Sequence, residues 1–137
     1  MSAIHEFSTL VKQKSHLSYP RWVRNVLDYV SRHLHQPISL SEIATYVQMQ
    51  PGYLSVQFKK ITGENLITYI NIEKTKEAKY LLECTNLSLL EISVFLGYRS
   101  QGYFSKTFKQ IQGISPLVYR QSKHQTIKKK HVDMLLF

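Results

Sequence analysis

The chain of 137 residues is poor in cysteine, in acidic residues and in long apolar runs. Its one cysteine, Cys84, excludes an intramolecular disulfide and a cysteine-based zinc cluster, and we expect it to be a half-buried structural thiol. No apolar run approaches the roughly 20 residues that span a bilayer, and the first residues lack the apolar stretch of a secretion signal. We therefore expect a soluble, cytoplasmic protein with no membrane partner.

Sequence signals of catalysis and of cofactor binding are also missing. His33 and His35 are two residues apart on a presumed helix, whereas a helical zinc pair usually has a spacing of four. No phosphate-cradling glycine loop and no nucleophile elbow occurs, and no histidine or acid is patterned around Cys84. The sequence thus predicts no metal, no cofactor and no catalytic residues, and a protein that is not an enzyme.

The shortage of acidic residues leaves a strong positive charge. Lys and Arg number 18 against nine Asp and Glu, which gives a net charge of +9. No acidic residue occurs between Ile92 and Val132, a span with eight Lys or Arg, and none occurs between Ile43 and Gly63. This excess indicates an anionic partner, either nucleic acid or a membrane surface.

The most informative feature of the chain is an internal repeat. Residues 52–63 read GYLSVQFKKITG and residues 102–113 read GYFSKTFKQIQG, with seven of twelve positions identical. Upstream, ISLSEIATYV at 38–47 matches LSLLEISVFL at 87–96, and the second copy carries one added residue near Gln101. Two copies are too few for a solenoid, so the repeat predicts a pseudo-twofold pair of small helical units.

Each unit has the pattern helix, short turn, helix. Ser39 with Glu42, and Ser88 with Glu91, have the spacing of a capping box at a helix start. An apolar stripe at i, i+3, i+4 and i+7 follows each box, and Gly97 stands where a helix C-cap favours glycine. The second helix of each unit has a predicted inward stripe: Leu54, Phe58 and Ile61 in the first copy, Phe104, Phe108 and Ile111 in the second.

The remaining segments complete an all-α fold with two helix-turn-helix subdomains joined by a long bridging helix. Residues 66–83 form the predicted bridge, and their polar middle, NIEKTKE, is typical of a helix that passes through solvent between two lobes. A helix from Pro20, stopped by Pro37, precedes the first unit, and Ser115 and Pro116 start a last helix. We expect residues 1–19 to be a linker or N-terminal segment, 20–121 the tandem domain, and 122–137 a basic tail containing KKK at 128–130.

The residues of the second helix of each unit that lie outside its inward stripe are expected to face outward. The glutamine, lysine and serine side chains among them suit hydrogen bonding to base edges, and lysines further along the helix suit phosphates. The glycines at each helix start allow close approach of DNA, and the free N–H groups there favour a phosphate. The outward positions are Gly52, Ser55, Val56, Lys59 and Lys60, then Gln101, Gly102, Ser105, Lys106 and Lys109.

Residues 102–120, GYFSKTFKQIQGISPLVYR, resemble the signature of the AraC/XylS family of bacterial transcription regulators. Residues 39–63 resemble the first helix-turn-helix of that family, and the likeness covers roughly residues 20–121. It implies about seven helices in two lobes, whose recognition helices enter two successive major grooves of double-stranded DNA. It also implies transcription regulation, by activation or by repression, with RNA polymerase as a candidate partner. Family members commonly carry a separate sensor domain ahead of this part, so the chain is either the C-terminal piece of a larger regulator or, like some members of about this size, a protein that stands alone.

The resemblance also assigns roles to individual residues. The implied base-reading positions are Gly52, Ser55 and Val56 in the first unit, and Gln101, Gly102, Tyr103 and Lys106 in the second. Phosphate contacts are expected from Lys59, Lys60, Ser105, Lys109 and Arg99. Tyr53 and Tyr103 have two possible roles, packing at the turn or lying against the DNA backbone.

One departure from the family pattern lies in the bridging helix. Lys74 and Thr75 stand where the family usually has arginine followed by leucine near the middle of this helix. Because lysine is not equivalent to arginine in such a contact, we expect a buried guanidinium contact to be lost.

An alternative function is a basic helical interaction module for an acidic protein, RNA or an anionic surface. Such a module needs only charge and an apolar face, so it gives no reason for two capped helix-turn-helix units with matching lysines. Double-stranded RNA is also a poor fit, since its deep, narrow major groove excludes a helix.

Overall fold

The computed structural model describes residues 18–124, and every regular element within them is a helix. The predicted all-α fold with about seven helices is confirmed. Most of the predicted linker and the KKK of the predicted tail lie outside the described residues. In chain order the helices are α1 Arg21–Arg32, α2 Leu40–Val47, α3 Pro51–Thr62, α4 Leu66–Cys84, α5 Leu89–Phe95, α6 Gln101–Gln112 and α7 116–124.

The first lobe is formed by α1, α2, α3 and the first half of α4. One face of α1 is apolar at helical spacing, and this face is buried. The helix ends at Arg32, before Leu34, because a turn at 33–36 already precedes Pro37. The buried core residues of this lobe are Val23, Val26, Leu27, Val30, Ile43, Ala44, Leu54, Phe58, Leu66, Tyr69 and Ile70.

The second lobe is formed by the second half of α4 with α5, α6 and α7. Arg120 holds the last helix against the end of α4 and the loop after it, because its guanidinium donates to the carbonyls of Leu82, Thr85 and Leu87. The hydroxyl of Tyr119 donates to the Glu83 carboxylate at 2.8 Å. The buried core residues of this lobe are Ala78, Leu81, Leu82, Ile92, Leu96, Phe104, Phe108 and Tyr119.

Side-chain caps define where the helices of each unit begin. Ser88 forms the complete predicted capping box, since its hydroxyl accepts from the Glu91 N–H and the Glu91 carboxylate accepts from the Ser88 N–H. The predicted box at Ser39 is only half formed: its hydroxyl accepts from the Glu42 N–H at 3.1 Å, but the Glu42 carboxylate is directed elsewhere. The Glu42 carboxylate lies 3.5 Å from the Tyr29 hydroxyl, and so faces α1.

The turns of the two units begin with the same backbone conformation. Gln48 and Gly97 occupy equivalent places, and both have a positive φ, of 58° and 74°. In each unit the N–H of the following residue donates to the carbonyl five residues earlier, at 2.9 Å. This bond closes the end of the first helix of the unit and aims the chain into the second.

The prediction that the middle of the bridging helix lies in solvent is wrong. Ile72, Glu73, Lys74 and Thr75 are all at most 4% exposed. The segment after α1 and the turn after α5 close over this part of α4. The charged groups there have partners within the protein, as in the 3.3 Å pair between Glu73 and Lys76, whereas the Thr75 hydroxyl is buried with no hydrogen-bond partner among the described residues.

Although position 74 has no guanidinium, a buried ammonium occupies it. The Lys74 ammonium donates to the carbonyls of Leu34 and Gln36, both at 2.8 Å, and to the carbonyl of Leu96. The side chain is thus a compact substitute for the guanidinium. Burial lowers the pKa of Lys74 to about 8, so it still carries its charge at neutral pH.

Two predicted burial assignments also differ from the structure. Ile61 is exposed, and Thr62 takes the inward place, since a residue four positions after Phe58 lies closer to the same face than one three positions after it. Cys84 is exposed because it lies two residues beyond Leu82, on the opposite side of α4. Ile111 is half-buried.

Candidate nucleic-acid interface

Helix α3 presents one face to the first core and the other to solvent. Pro51 is its first residue, a position where the missing N–H costs no hydrogen bond. Leu54 and Phe58 are fully buried, so the opposite face points outward. Among the predicted contact residues of this helix, Gly52, Val56, Lys59 and Lys60 are exposed and Ser55 is half-buried.

Helix α6 repeats this arrangement in the second lobe. Ser100 caps it by accepting from the Tyr103 N–H at 3.0 Å. Phe104, Thr107 and Phe108 are buried, which turns the predicted contact residues outward. Of these, Gln101, Gly102, Tyr103, Lys106 and Lys109 are exposed and Ser105 is half-buried.

Arg99 and Tyr103 form a stacked pair at the start of α6. The guanidinium carbon lies 4.8 Å from the centroid of the Tyr103 ring, and that ring lies 5.9 Å from the ring of Tyr98. The stack favours the packing role for Tyr103, although 37% of the residue stays exposed. Tyr53, the equivalent residue of α3, is 60% exposed. The second unit therefore offers an orientated guanidinium beside its recognition helix.

Within residues 18–124, the ion pairs found involve no basic side chain of α3 or α6. The ion pairs within residues 18–124 lie on α1 and α4, or join α4 to the segment after α1. The sequence supplies no carboxylate to either helix between Ile43 and Gly63 or between Ile92 and Val132. Both helices are therefore free to attract phosphate.

The glycines at the starts of these helices are not required by the fold. A Cβ atom on Gly52 would meet no atom within 4 Å, and one on Gly102 would meet only the Ser100 hydroxyl, at 4.0 Å. Neither glycine has a positive φ. Since alanine is the better helix former, the lack of a side chain here fits a surface that a partner approaches closely.

The sequence pattern did not reveal how the two lobes meet. Lys74 was recognised only as a departure from a family pattern, and Gly97 only as a helix end. The carbonyls of Leu34 and Gln36, which accept from Lys74, lie 40 and 38 residues away from it in the chain, and no local periodicity encodes such a separation. A cleft of about 340 Å³ lies at this junction, lined in part by Ile38, Ile67, Asn71, Tyr98 and Arg99.

Other kinds of site find no support in the described part of the chain. Residues 18–124 contain no group of three or more His, Cys, Asp or Glu placed to hold a metal ion. None of the helices described is long and apolar enough to cross a membrane.

Comparison with known proteins places this geometry in a family. The family model of the helix-turn-helix domain, of AraC/XylS type, matches residues 43–122. The F1 operon positive regulatory protein of Yersinia pestis is 33% identical over 99 residues, which cover 72% of this chain and 33% of that protein. The chain therefore spans about a third of the length of this curated relative.

Two solved structures share the fold. The C-terminal domain of AraT, a response regulator from Geobacillus stearothermophilus, has a TM-score of 0.73 at 32% identity, over 77% of this chain and 88% of that one. The DNA-binding domain of AdpA, a global transcriptional factor solved with a target DNA, has a TM-score of 0.71 at 23% identity, over 76% and 94% of the chains. The chain belongs to the AraC/XylS family and forms its helix-turn-helix DNA-binding domain.

Proposed function

We propose that this domain recognises a specific sequence in double-stranded DNA and regulates transcription there. Helices α3 and α6 act as the two recognition helices. They enter major grooves that are about 34 Å apart on one face of the duplex. This is a binding function, and no catalytic step is part of it.

The observation that carries the proposal is the repeated, acid-free outward face on two lobes that share one central helix. In the second lobe, Gln101 and Lys106 supply the long polar side chains that read adenine and guanine edges. In the first lobe, Val56 offers only an apolar contact, suited to a thymine methyl group. We therefore assign more of the base reading to α6 and more of the anchoring to α3, through Lys59 and Lys60.

The family relatives support a wider role for the complete regulator. The Yersinia relative is by name a positive regulator, which favours activation and RNA polymerase as a second partner. This relative is about three times as long as the matched region, which supports a sensor domain in the full protein. The site of action that follows is the bacterial cytoplasm.

The deciding experiment is the selection of bound duplexes from a random DNA pool at two salt concentrations. We expect an enriched motif with two short blocks about one helical turn apart. One block alone would assign all reading to a single lobe. Salt-sensitive binding of every duplex with no enriched motif would contradict sequence-specific recognition.

Alanine substitutions of two lysines should separate reading from anchoring. Lys106→Ala is expected to cost about 1–3 kcal/mol on the selected site and to relax specificity in one block only. Lys59→Ala is expected to weaken all duplexes about equally, because a phosphate contact carries no sequence information. Fluorescence anisotropy on matched and scrambled duplexes measures both effects, with Lys79→Ala on α4 as the control for lost charge. If Lys106→Ala weakens matched and scrambled duplexes alike, α6 does not read bases.

Gly52→Ala and Gly102→Ala should have opposite effects on folding and on DNA binding. The free energy of unfolding should rise by up to about 0.5–1 kcal/mol, because alanine replaces glycine in a helix with open space around it. Affinity for the selected duplex should fall about tenfold, since a methyl group then separates the helix from the DNA. Thermal melts measure the expected rise in stability, and fluorescence anisotropy measures the expected fall in DNA affinity. Unchanged affinity in both variants would remove the starts of α3 and α6 from the interface.

A further inference from the structure

One buried side chain joins the two lobes. Of the three carbonyls that accept from the Lys74 ammonium, those of Leu34 and Gln36 belong to the segment that leaves α1 in the first lobe. The third, that of Leu96, is at the C-cap of α5 in the second lobe. All three N–H groups of the ammonium are therefore used, and they are divided between the lobes.

The chemistry of this contact makes it stronger than an ordinary surface bond. Carbonyls at a helix C-terminus lack partners within their helix and carry the negative end of its dipole. Lys74 places its positive charge at one such carbonyl, that of Leu96 at the C-cap of α5, and beside the carbonyls of Leu34 and Gln36 in the segment that follows α1. The residue is 4% exposed, so water does not replace these bonds readily.

Backbone and ring contacts surround the same junction. A Cβ on Gly97 would lie 2.2 Å from the carbonyl carbon of Gln36, so the two lobes touch backbone to backbone. The centroids of the His35 and Phe95 rings are 4.1 Å apart, and the His35 imidazole lies 3.5 Å from the Glu77 carboxylate. These contacts position the lobes, and with them α3 and α6, relative to each other.

We propose that Lys74 is a positioning residue for DNA recognition, which fixes the angle between the lobes and thereby sets the spacing of the two sequence blocks that the domain accepts. The inference rests on the proposed function of α3 and α6. Two linked binding modules gain most affinity when their geometry matches the separation of their sites. A rigid junction therefore raises the affinity at one spacing of the sequence blocks only. A loosened junction gives a smaller increase in affinity at several spacings.

The test uses the selected duplex and versions in which one or two base pairs are inserted or removed between the blocks. We expect the native chain to bind the selected spacing about ten times more tightly than the altered ones, or better. Lys74→Met keeps the length and apolar stem of the side chain but removes the ammonium. In this variant the preference should shrink to about threefold or less, while binding to duplexes with a single block stays unchanged.

Three further variants make the result specific. Lys79→Met removes a charge from the same helix without touching the junction, and should keep the native preference. Lys74→Arg restores a buried cation with several donors, and should recover most of it. Lys74→Gln removes the charge but keeps an N–H donor, so it replaces Lys74→Met if that variant fails to fold.

The outcomes of this test separate the two proposals. A native chain that selects no motif contradicts the proposed function itself. A native chain with a clear preferred spacing that Lys74→Met retains in full, with normal binding of single blocks, overturns the positioning role alone. If Lys74→Met does not fold, a fully retained spacing preference in Lys74→Gln, with normal binding of single blocks, overturns it instead.

Discussion

Gly97→Ala should lower the free energy of unfolding by about 3 kcal/mol or more, and it should impair DNA binding through the junction of the lobes. A positive φ of 74° alone costs an L-residue roughly 1–2 kcal/mol. The added Cβ would also lie 2.2 Å and 2.5 Å from backbone atoms of Gln36 and Pro37, which no side-chain rotation relieves. The lobes must therefore move apart, away from the ammonium of Lys74.

Gly113→Ala is the matched control for this substitution. Gly113 has a φ of 91° at the end of α6, so alanine there suffers the same kind of backbone penalty. We expect a loss of roughly 1–2 kcal/mol in Gly113→Ala, measured by urea unfolding, and little change in DNA spacing preference. Equal losses in the two variants would mean that the segment at Gln36 and Pro37 yields without cost, and that the lobes are not tightly packed.

DNA affinity should fall about 100-fold when the salt concentration rises from 50 to 200 mM. The exposed cations assigned to phosphates are Lys59, Lys60, Lys109 and Arg99. Each phosphate that a cation neutralises releases counterions and contributes about −0.9 to the slope of log affinity against log salt. Four such contacts give a slope of about −3.6, which corresponds to the stated loss over a fourfold change in salt.

Single substitutions calibrate this slope. Lys60→Ala should make it less steep by about one, whereas Val56→Ala on the same exposed face should leave it unchanged, because valine releases no counterion. Titrations at four salt concentrations are sufficient for the comparison. Affinity that stays flat over this range would exclude phosphate contacts as the main source of binding.

The sequence predicted the parts of this fold that depend on local pattern. Each apolar stripe identified a helix, and Ser88 with Glu91 marked a helix start, because both signals are read within a few residues. The repeat then related the two units to each other. The outward faces of α3 and α6 followed from the same periodicity, since Leu54, Phe58, Phe104 and Phe108 determine which side is buried.

The parts that were missed depend on contacts between distant segments. The sequence around Lys74 is polar on nearly all sides, which is typical of an exposed bridge, and nothing nearby in the chain shows that carbonyls of other segments cover it. The exposure of Ile61 was missed for a smaller reason. Positions three and four after Phe58 both lie near the buried face, and the packing of α3 against its neighbours decides between them.

Gln48 and Gly97 occupy equivalent positions in the two units, but their surroundings differ. Both residues make the same left-handed turn, but the first faces solvent and tolerates a side chain, whereas the second abuts the other lobe and excludes one. The halves are therefore not interchangeable, even though both have the same order of helices. A chain with the two units in reverse order would bring Gln48 to the contact between them, so the order of the units is itself under physical constraint.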